Sequence, residues 1–462
     1  MTHQGLGWYR KRTIGLLLTV GVASATLAAC GSDSPEASTG SATSGEISWW
    51  GWTPDTPVAE RYIAAFNEAY PDITVNYTNY ENADYAPTMS TAFQTGAGPD
   101  IFDVSAGGNV GGKQLWGDYA MDLSSAAEEE LGPEWEGQFA TGYVDQLTYD
   151  DKVVALPLGG VAAGFFWINK DLFDANGVPT ELKTYDDLKS ACATFTAAGV
   201  QCLTMGTNST DTFSTELLRT IVASIDPDYY AEALQGEASW DDPVFVEAID
   251  ILRKMQDDGI ISQNATSIRQ YPEANNAFMA QEAAIVQMGT WYAQYAAAEP
   301  MTASMEGAGV SAPVPFTMMP MTSPDFAGDG NVPGLVGEAD YGLAINDESE
   351  NKAAATTFVN WLTTNADGQQ IVANAIDLVP ALEGVEADWE NLGLVSPDIQ
   401  IPAFQQLYAD AAATSETRNL YVAPETGNAQ VIAVQQALAG RSQTSAEIAA
   451  QAEADSVDMP VE

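Results

Sequence analysis

The chain has 462 residues, with 64 Asp and Glu against 16 Lys and Arg, which gives a formal net charge of −48 at pH 7. Nucleic acid and anionic membrane surfaces would repel such a chain, so both are excluded as binding surfaces. A polyanionic ligand would need a local basic cluster, and the sequence shows none. The hydrophobic fraction of 46% is that of an ordinary globular protein.

The N-terminal segment has the pattern of an export signal. A basic stretch, Arg10–Arg12, precedes an apolar run from Ile14 to Ala29, which is short for a membrane span of ~20 residues. The run ends in Leu27-Ala28-Ala29-Cys30, which resembles the bacterial lipoprotein box. That resemblance implies cleavage of residues 1–29 and lipidation of Cys30. A cleaved signal with an incidental cysteine and an uncleaved N-terminal anchor are the alternatives.

The mature chain would contain no imidazole, because the only histidine is His3. Ser-His-Asp and Cys-His nucleophilic sites and the usual zinc sites are therefore excluded. Glycoside hydrolysis by two carboxylates stays open, since it needs no histidine. We expect no cofactor, no metal and no catalytic residues.

Two further cysteines, Cys192 and Cys202, form an even pair in a chain that the leader directs out of the cytoplasm. A disulfide is the simplest interpretation in that compartment, and two free buried thiols are the alternative.

The first predicted elements alternate between strand and helix. Small polar residues at 31–45 indicate a flexible tether. Strands are predicted at Glu46–Trp50, Ile73–Tyr77 and Ile101–Val104, with helices at Val58–Tyr70 and Tyr85–Thr95 between them. This order is typical of a parallel sheet covered by helices. Trp49 and Trp50 alternate across the first strand, so one of them should lie in the core.

The middle of the chain is mostly helical between strand-like segments. Strands are predicted at 153–158, 164–169, Ala284–Met288 and Tyr341–Ile345, and helices at Tyr185–Ala198, Thr215–Ile225, Pro243–Asp258, Tyr271–Gln281 and Lys352–Thr364. Residues 301–336 are rich in Met, Pro and Gly and indicate a connection, and the remainder after 364 is largely helical.

Several short segments resemble, in their order, the extracellular solute-binding proteins of ABC sugar importers, the relatives of maltose-binding protein. They are Ser48–Trp52, Gly98–Phe102, Leu156–Leu158, Trp167–Phe173, Pro179 with Thr184–Leu188, Ala284–Trp291, Tyr341–Asn346 and Leu438–Ser442. Each is weak alone, but together they cover residues 46 to about 450.

The resemblance implies an α/β fold of two lobes, each a mainly parallel sheet flanked by helices, joined by a hinge around a ligand cleft. After the lipidated cysteine and tether (30–45), lobe 1 would comprise 46–162 and 338–388, and lobe 2 would comprise 163–337 and 389–462. The chain would cross between the lobes near Gly159–Gly164 and return near Pro333–Tyr341.

The resemblance also implies a function without chemistry. The protein would be a monomer that captures a carbohydrate, expected to be an oligosaccharide, by cleft closure and delivers it to the permease subunits of an ABC transporter. It would be lipid-anchored at the extracellular face of the cell membrane, in a Gram-positive envelope. A binding protein for a polyamine or osmolyte is the alternative, and a secreted carboxylate-dependent glycosidase is a more distant one.

A sugar is best held by flat aromatic rings with carboxylates, amides and cations around its hydroxyl rim, and ligands of open α/β sheets lie at the carboxyl ends of strands. The predicted ligand-binding residues are Trp291, Trp52, Thr53, Asp55, Tyr80, Glu81, Asn82, Ser105, Asn109, Asn208, Asp211, Glu338, Asp340, Tyr341 and Arg418. Trp291 matches the position of a sugar-stacking tryptophan in the family. For Trp52, the alternative role is a packing position in the core. For Arg418, the alternative role is a surface ion pair.

Two departures from the family pattern bear on the ligand. Maltodextrin-binding members have a carboxylate in the first crossing segment, where this chain has Gly159–Ala163, and a tryptophan in the late helical region, where it has Asn428–Val431. We therefore expect a sugar other than a maltodextrin.

Overall fold

A six-stranded and a four-stranded sheet carry the fold of the computed structural model, which describes residues 40–107, 110–208, 213–414, 418, 423–440 and 442–457. The strands are β1 Gly45–Gly51, β2 Ile73–Asn79, β3 Ile101–Val104, β4 Thr148–Tyr149, β5 Lys152–Val153, β6 Leu156–Ala163, β7 Phe165–Asn169, β8 Gln201–Thr204, β9 Ala283–Val286, β10 Met318–Thr322, β11 Val336–Ile345 and β12 Val379–Pro380. Cys30, predicted to carry lipid, lies outside the described residues.

Helices cover both sheets. They are α1 Thr56–Ala69, α2 Asn82–Gln94, α3 Lys113–Trp116, α4 Ser124–Leu131, α5 Tyr143–Gln146, α6 Lys170–Asn176, α7 Tyr185–Ala197, α8 Phe213–Ile225, α9 Tyr229–Leu234, α10 Pro243–Asp257, α11 Asn275–Met279, α12 Ala298–Gly307, α13 Lys352–Thr364, α14 Ala366–Ala375, α15 Pro397–Ala413, α16 Pro424–Ala439 and α17 Ser445–Asp455. The predicted helix at Tyr271–Gln281 is shorter than expected, because Pro272 lacks an N–H and Tyr271 before it has φ −116° and ψ 135°.

The sheets are mixed, which corrects the prediction that they are mainly parallel. The six-stranded order is β12-β6-β11-β3-β1-β2, in which β1 is parallel to β2 and β3 whereas β11 is antiparallel to β3 and β6. In the four-stranded sheet, β10-β7-β9-β8, only β8 and β9 are parallel. The physical reason is that β11 enters its sheet from the other lobe, in the direction opposite to β3.

Alternation along the strands builds a core on each face of each sheet. On β7, Phe166 and Ile168 pack with α7, α8 and α10, whereas Phe165 and Trp167 pack with the apolar residues of α12 and α15. On β1, Trp49 is fully buried and Trp50 is partly exposed, which confirms that one of the two tryptophans lies in the core.

The chain crosses between the two sheets at Gly164, inside the segment predicted for the first crossing. β6 ends at Ala163, which pairs with Val336 of β11, and β7 begins at Phe165 in the other sheet. Gly164 has φ +101°, and a Cβ there would lie 2.8 Å from the Gly334 carbonyl oxygen, so glycine fits this turn best. The chain returns to the first sheet between β10 and β11, which gives the fold two lobes. The residue ranges assigned to each lobe stay a prediction.

A disulfide joins Cys192 on α7 to Cys202 on β8, with the two Cα atoms 4.9 Å apart. Both side chains are buried in the apolar cluster between α7 and the four-stranded sheet. The bond therefore ties a helix to the sheet it covers.

Replacing both cysteines by alanine should lower the free energy of unfolding by roughly 2–3 kcal/mol, the loop-closure entropy of a ring of this size. Urea denaturation with and without dithiothreitol measures this loss. Dithiothreitol should destabilise the wild-type protein and leave the double variant unchanged. If dithiothreitol left the unfolding of the wild-type protein unchanged, this result would contradict the disulfide.

Candidate functional site

Trp52 lies at the carboxyl end of β1 and is partly exposed. Its indole meets the rings of Tyr85 and Tyr341 edge-on, with centroid distances of 5.1 and 5.9 Å. A side chain at Gly111 would overlap the indole, so the ring rests on backbone there. These contacts fix the ring while leaving part of it open to a ligand.

A buried carboxylate supports the strand end that carries Trp52. Asp103 on β3 accepts a 2.8 Å hydrogen bond from the Trp49 indole N–H and has no exposed surface. Burial raises the pKa of Asp103 well above its ordinary value, against the effect of that hydrogen bond.

Trp291 lies in the second lobe, in the 3₁₀ turn Thr290–Ala296 that follows β9. Its indole N–H lies 3.3 Å from the Tyr271 hydroxyl, and its ring lies 5.9 Å from that of Phe213. Trp291 and Trp52 are both partly exposed and both pack against the apolar cluster of the six-stranded sheet. The fold thus brings one tryptophan from each lobe to the same region.

Two hydrogen bonds join the lobes near these tryptophans. The Tyr295 hydroxyl donates to Asp55 across 3.0 Å, linking the turn of Trp291 to the loop of Trp52. The Ala162 N–H on β6 donates to the Thr290 hydroxyl across 3.0 Å. The second bond is buried beside the crossing strand, and the first is exposed at the rim.

Arg418 lies against Trp291, with its guanidinium carbon 4.7 Å from the ring centroid. Its Nε is 2.8 Å from Glu216 on α8, and its Nη1 is 3.2 Å from Glu338 on β11. The three side chains are only 10%, 7% and 3% exposed. Arg418 does form an ion pair, but the alternative that this pair lies at the surface is wrong, because the three side chains are buried.

Asp340 lies at an irregularity in β11. The register with β6 shifts between Ala339 and Tyr341, and the Ala339 N–H donates instead to the Gln146 side chain across 2.8 Å. Asp340 is partly buried. Burial, with Glu338 and Asp377 nearby, raises the pKa of Asp340 to about 7, although Arg418 opposes the shift. The bulge re-aims this carboxylate out of the regular strand alternation.

Tyr143 on α5 occupies the space that a side chain on the first crossing strand would need. A Cβ at Gly160 would overlap the Tyr143 hydroxyl. Burial raises the pKa of Tyr143 above its ordinary value, and Glu338 and Asp340 raise it further. The segment Gly159–Ala163 has no carboxylate of its own, and the neutral Tyr143 hydroxyl lies beside Gly160 instead.

The other predicted residues divide by exposure. Tyr341 and Glu338 are both buried in this structure, and their predicted contact with a ligand stays a prediction. Ser105 is partly exposed, but its hydroxyl donates to the Gly107 carbonyl across 2.8 Å. Tyr80 packs on Trp50 with a 5.4 Å centroid distance.

Thr53 and Asn82 are partly exposed, and Glu81 and Asn208 are exposed. Asn109 and Asp211 lie outside the described residues.

Sequence patterns did not reveal five residues of this region: Phe213, Glu216, Tyr143, Tyr271 and Tyr295. Tyr143 falls in a stretch without periodicity, and Tyr271 precedes the proline that interrupts its predicted helix. The sequence of α8 did contain a sign of Glu216. Glu216 and Arg219 are the two charged residues of this helix, whose other residues are apolar or uncharged. Charged residues at helical spacing in an apolar segment indicate a buried ion pair.

The described residues contain no group of three or more His, Cys, Asp or Glu side chains placed to hold a metal ion. A cavity of ≈ 380 Å³ lies elsewhere, between α9 and the C-terminal helices, lined by Trp240, Glu453 and their neighbours. None of the predicted ligand-binding residues lines it.

Residues 50–369 match the family profile of the bacterial extracellular solute-binding proteins. Among curated proteins, the chain is 22% identical over 255 residues to an uncharacterised ABC transporter extracellular-binding protein of Pyrococcus horikoshii, covering 53% of this chain and 54% of that one. The chain thus spans about half the length of the curated relatives it matches.

Solved structures show the same fold over nearly the whole chain. A structure from work on xylan utilisation by Caldanaerobius polysaccharolyticus has a TM-score of 0.69 at 19% identity, covering 88% of this chain and 99% of that chain. A chitin oligosaccharide binding protein has a TM-score of 0.68 at 19% identity, with 89% and 98% covered. The maltose-bound MalE3 of T. maritima has 0.67 at 17% identity, with 88% and 98% covered.

Replacing Arg418 by methionine should lower the free energy of unfolding by roughly 3–5 kcal/mol, because Glu216 and Glu338 would stay buried without their cation. Urea denaturation at pH 7.5 measures the change. Arg269→Met removes an exposed ion pair with Glu273 and, as the matched control, should cost under about 1 kcal/mol. Equal losses in the two variants would contradict the buried arrangement.

Asp340→Asn should become progressively more stable relative to the wild-type protein as the pH rises from about 4 to about 7. The folded-state pKa is raised, so the wild-type protein keeps a proton that the unfolded chain has lost, and the free energy of unfolding falls across this range. Above about pH 8 the difference should be constant, on the order of 2 kcal/mol after allowance for partial exposure. Urea denaturation at several pH values measures it.

The control for that titration is Glu348→Gln, which removes an exposed carboxylate after the same strand. Its stability difference from the wild-type protein should show no slope of this kind. A flat profile for Asp340→Asn would mean that Asp340 ionises like a solvated carboxylate.

Proposed function

The chain belongs to the family of bacterial extracellular solute-binding proteins, and from that membership we propose that it captures a carbohydrate between its lobes and delivers it to an ABC importer. The observation that carries the proposal is the pair of partly exposed tryptophans, Trp52 and Trp291, contributed by different lobes to one region. Flat aromatic surfaces suit the C–H faces of sugar rings, and the nearby Asp55, Asp340 and Tyr143 can bond to hydroxyls.

Lobe closure would supply the mechanism. The lobes are joined by a ribbon of β6 and β11, with Gly164 at the turn between the sheets. Rotation about such strands would change the distance between Trp291 and Trp52. Opening of the cleft would break the rim bond between Tyr295 and Asp55, and closure would form it again. A ligand that contacts both lobes stabilises the closed form, which a permease could then recognise.

Several structures with the same fold are named for a sugar ligand. Those named for their ligands include a chitin oligosaccharide binding protein, a maltose-bound protein and a protein in complex with stachyose. At 14–19% identity they support the fold, and the choice of a sugar for this chain rests on its own aromatic residues.

We propose that the protein is held at the outer face of the membrane by lipid on Cys30. No helix among the described residues is long and apolar enough to cross a membrane. The Ala42 carbonyl accepts a 2.7 Å hydrogen bond from Thr357 on α13, so the tether would leave the first lobe on the α13 side. Because Ala42 is already held by α13, the leash would comprise about ten residues, 31–41, and would keep the binding protein at high effective concentration near its permease.

A thermal-shift screen tests the ligand class. At least one of the xylo-, chito- or malto-oligosaccharides, or stachyose, should raise the melting temperature, and spermidine should not, because ligand bound only to the folded state stabilises it. A shift with spermidine and none with any sugar would refute the carbohydrate proposal. Chromatography of the sugars after incubation should show them intact, whereas cleaved products would indicate a glycosidase.

Replacing Trp52 or Trp291 by alanine should weaken binding of the stabilising sugar by about 10–100-fold, since each ring would lose a stacking contact. Isothermal titration calorimetry measures the affinities, and Trp→Phe at each position should retain more affinity than Trp→Ala. Tyr119→Ala removes a surface ring that stacks on Phe93 and serves as the control. Unchanged affinity in both alanine variants would place the ligand elsewhere.

A further inference from the structure

The cation nearest the candidate site has little capacity left for a ligand. Arg418 directs its Nε and Nη2 to Glu216 and its Nη1 to Glu338, and its side chain is 10% exposed. Its guanidinium also lies against the Trp291 ring. One positive charge is thus balanced by two carboxylates before any ligand arrives.

Most other cations of the described residues are engaged in ion pairs, hydrogen bonds or ring contacts, and Arg61 is exposed on α1, where its charge acts on Tyr62 and Asp377. Exposed or partly exposed ion pairs hold Lys170, Lys183, Lys189, Arg269 and Lys352. Arg219 and Lys254 lie over Tyr230 and Tyr185, Arg253 bonds to the Gln443–Ser445 turn, and Lys113 and Lys152 donate to backbone carbonyls. None of these contacts is with Trp52 or Trp291.

Asp340 is a carboxylate of this region that can still accept hydrogen bonds from a ligand. It is partly buried, and among the described residues nothing donates a hydrogen bond to it or pairs with it within 4 Å. The charged and titratable groups that influence it are Arg418, Glu338, Asp377, Asp103 and Tyr143. The cation among them, Arg418, already pairs with Glu338, so these groups add no uncompensated positive charge that would favour an anion beside Asp340.

We propose that the cleft accepts uncharged and amine-bearing saccharides and rejects acidic ones, and that Asp340 is the residue that sets this selectivity. The inference rests on the proposed function, since it concerns the ligand of the same site. An acidic sugar would bring a carboxylate into a partly buried region that has Asp340, where Arg418, the cation against Trp291, already pairs with two carboxylates. A hydroxyl or ammonium group would instead donate to Asp340. The selectivity thus comes from a repulsive element as much as from an attractive one.

Calorimetry with three β-1,4-linked tetrasaccharides that differ in charge tests this, alongside the α-1,4-linked pair of maltotetraose and its C6-carboxylated counterpart. The three are cellotetraose, its C6-carboxylated counterpart and the chitosan tetramer. In each linkage the acidic sugar should bind at least about tenfold more weakly than the neutral one, and the chitosan tetramer at least as tightly as cellotetraose. The acidic penalty should shrink at high salt, because screening weakens repulsion but not a steric clash.

Asp340→Asn should reduce the acidic penalty several-fold and leave the neutral affinity less changed, whereas Glu348→Gln should leave the ratio unaltered. An acidic tetrasaccharide that binds as tightly as its neutral partner, or a penalty that survives both high salt and Asp340→Asn, overturns this inference alone. If no saccharide of any charge binds, the proposed function fails and this inference fails with it.

Discussion

The pairing of β6 with β11 is the interaction on which the rest of the structure depends. It extends the six-stranded sheet to the crossing at Gly164, joins the two lobes, and pairs Glu338 with Val161 and Ala339 with Gly160 just before the irregularity at Asp340. Regular pairing would have sent Asp340 to a fixed face of the sheet, but the bulge around it frees its direction. Under the proposed function, the same ribbon would serve as the hinge and as part of the ligand region, which would link ligand contacts mechanically to lobe rotation.

Much of this arrangement could be predicted from the sequence, because it follows from local pattern. The alternation on β7, the strand and helix order before residue 105 and the crossing near Gly164 all depend on residues close in the chain. Trp52 comes directly after β1 and Trp291 lies in the turn that follows β9, so the rule that ligands lie at strand ends predicts both as ligand-binding residues, and that role stays a prediction. The mixed sheets were missed, because strand direction depends on which lobe the chain returns from.

The rest of the site could not be predicted, since it depends on contacts between residues far apart in sequence. Arg418 lies about 200 positions from Glu216 and 80 from Glu338, and nothing local to it signals burial. Tyr143 reaches Gly160 from a short helix in a stretch without periodicity. Tyr341 was expected beside the ligand because of its position near the hinge, but strand alternation turns it into the core under Trp52.

The large negative charge of the whole chain and the charge of its cleft act in different ways. Most carboxylates are exposed, where water and salt screen them within about 8–10 Å, so they favour solubility and select no ligand. Asp340 and the ion pair of Arg418 lie where burial removes that screening, and there the balance of a few groups decides what charge can enter. A binding protein can thus be strongly acidic overall and still bind neutral sugars, because only the partly buried charges are close enough to discriminate.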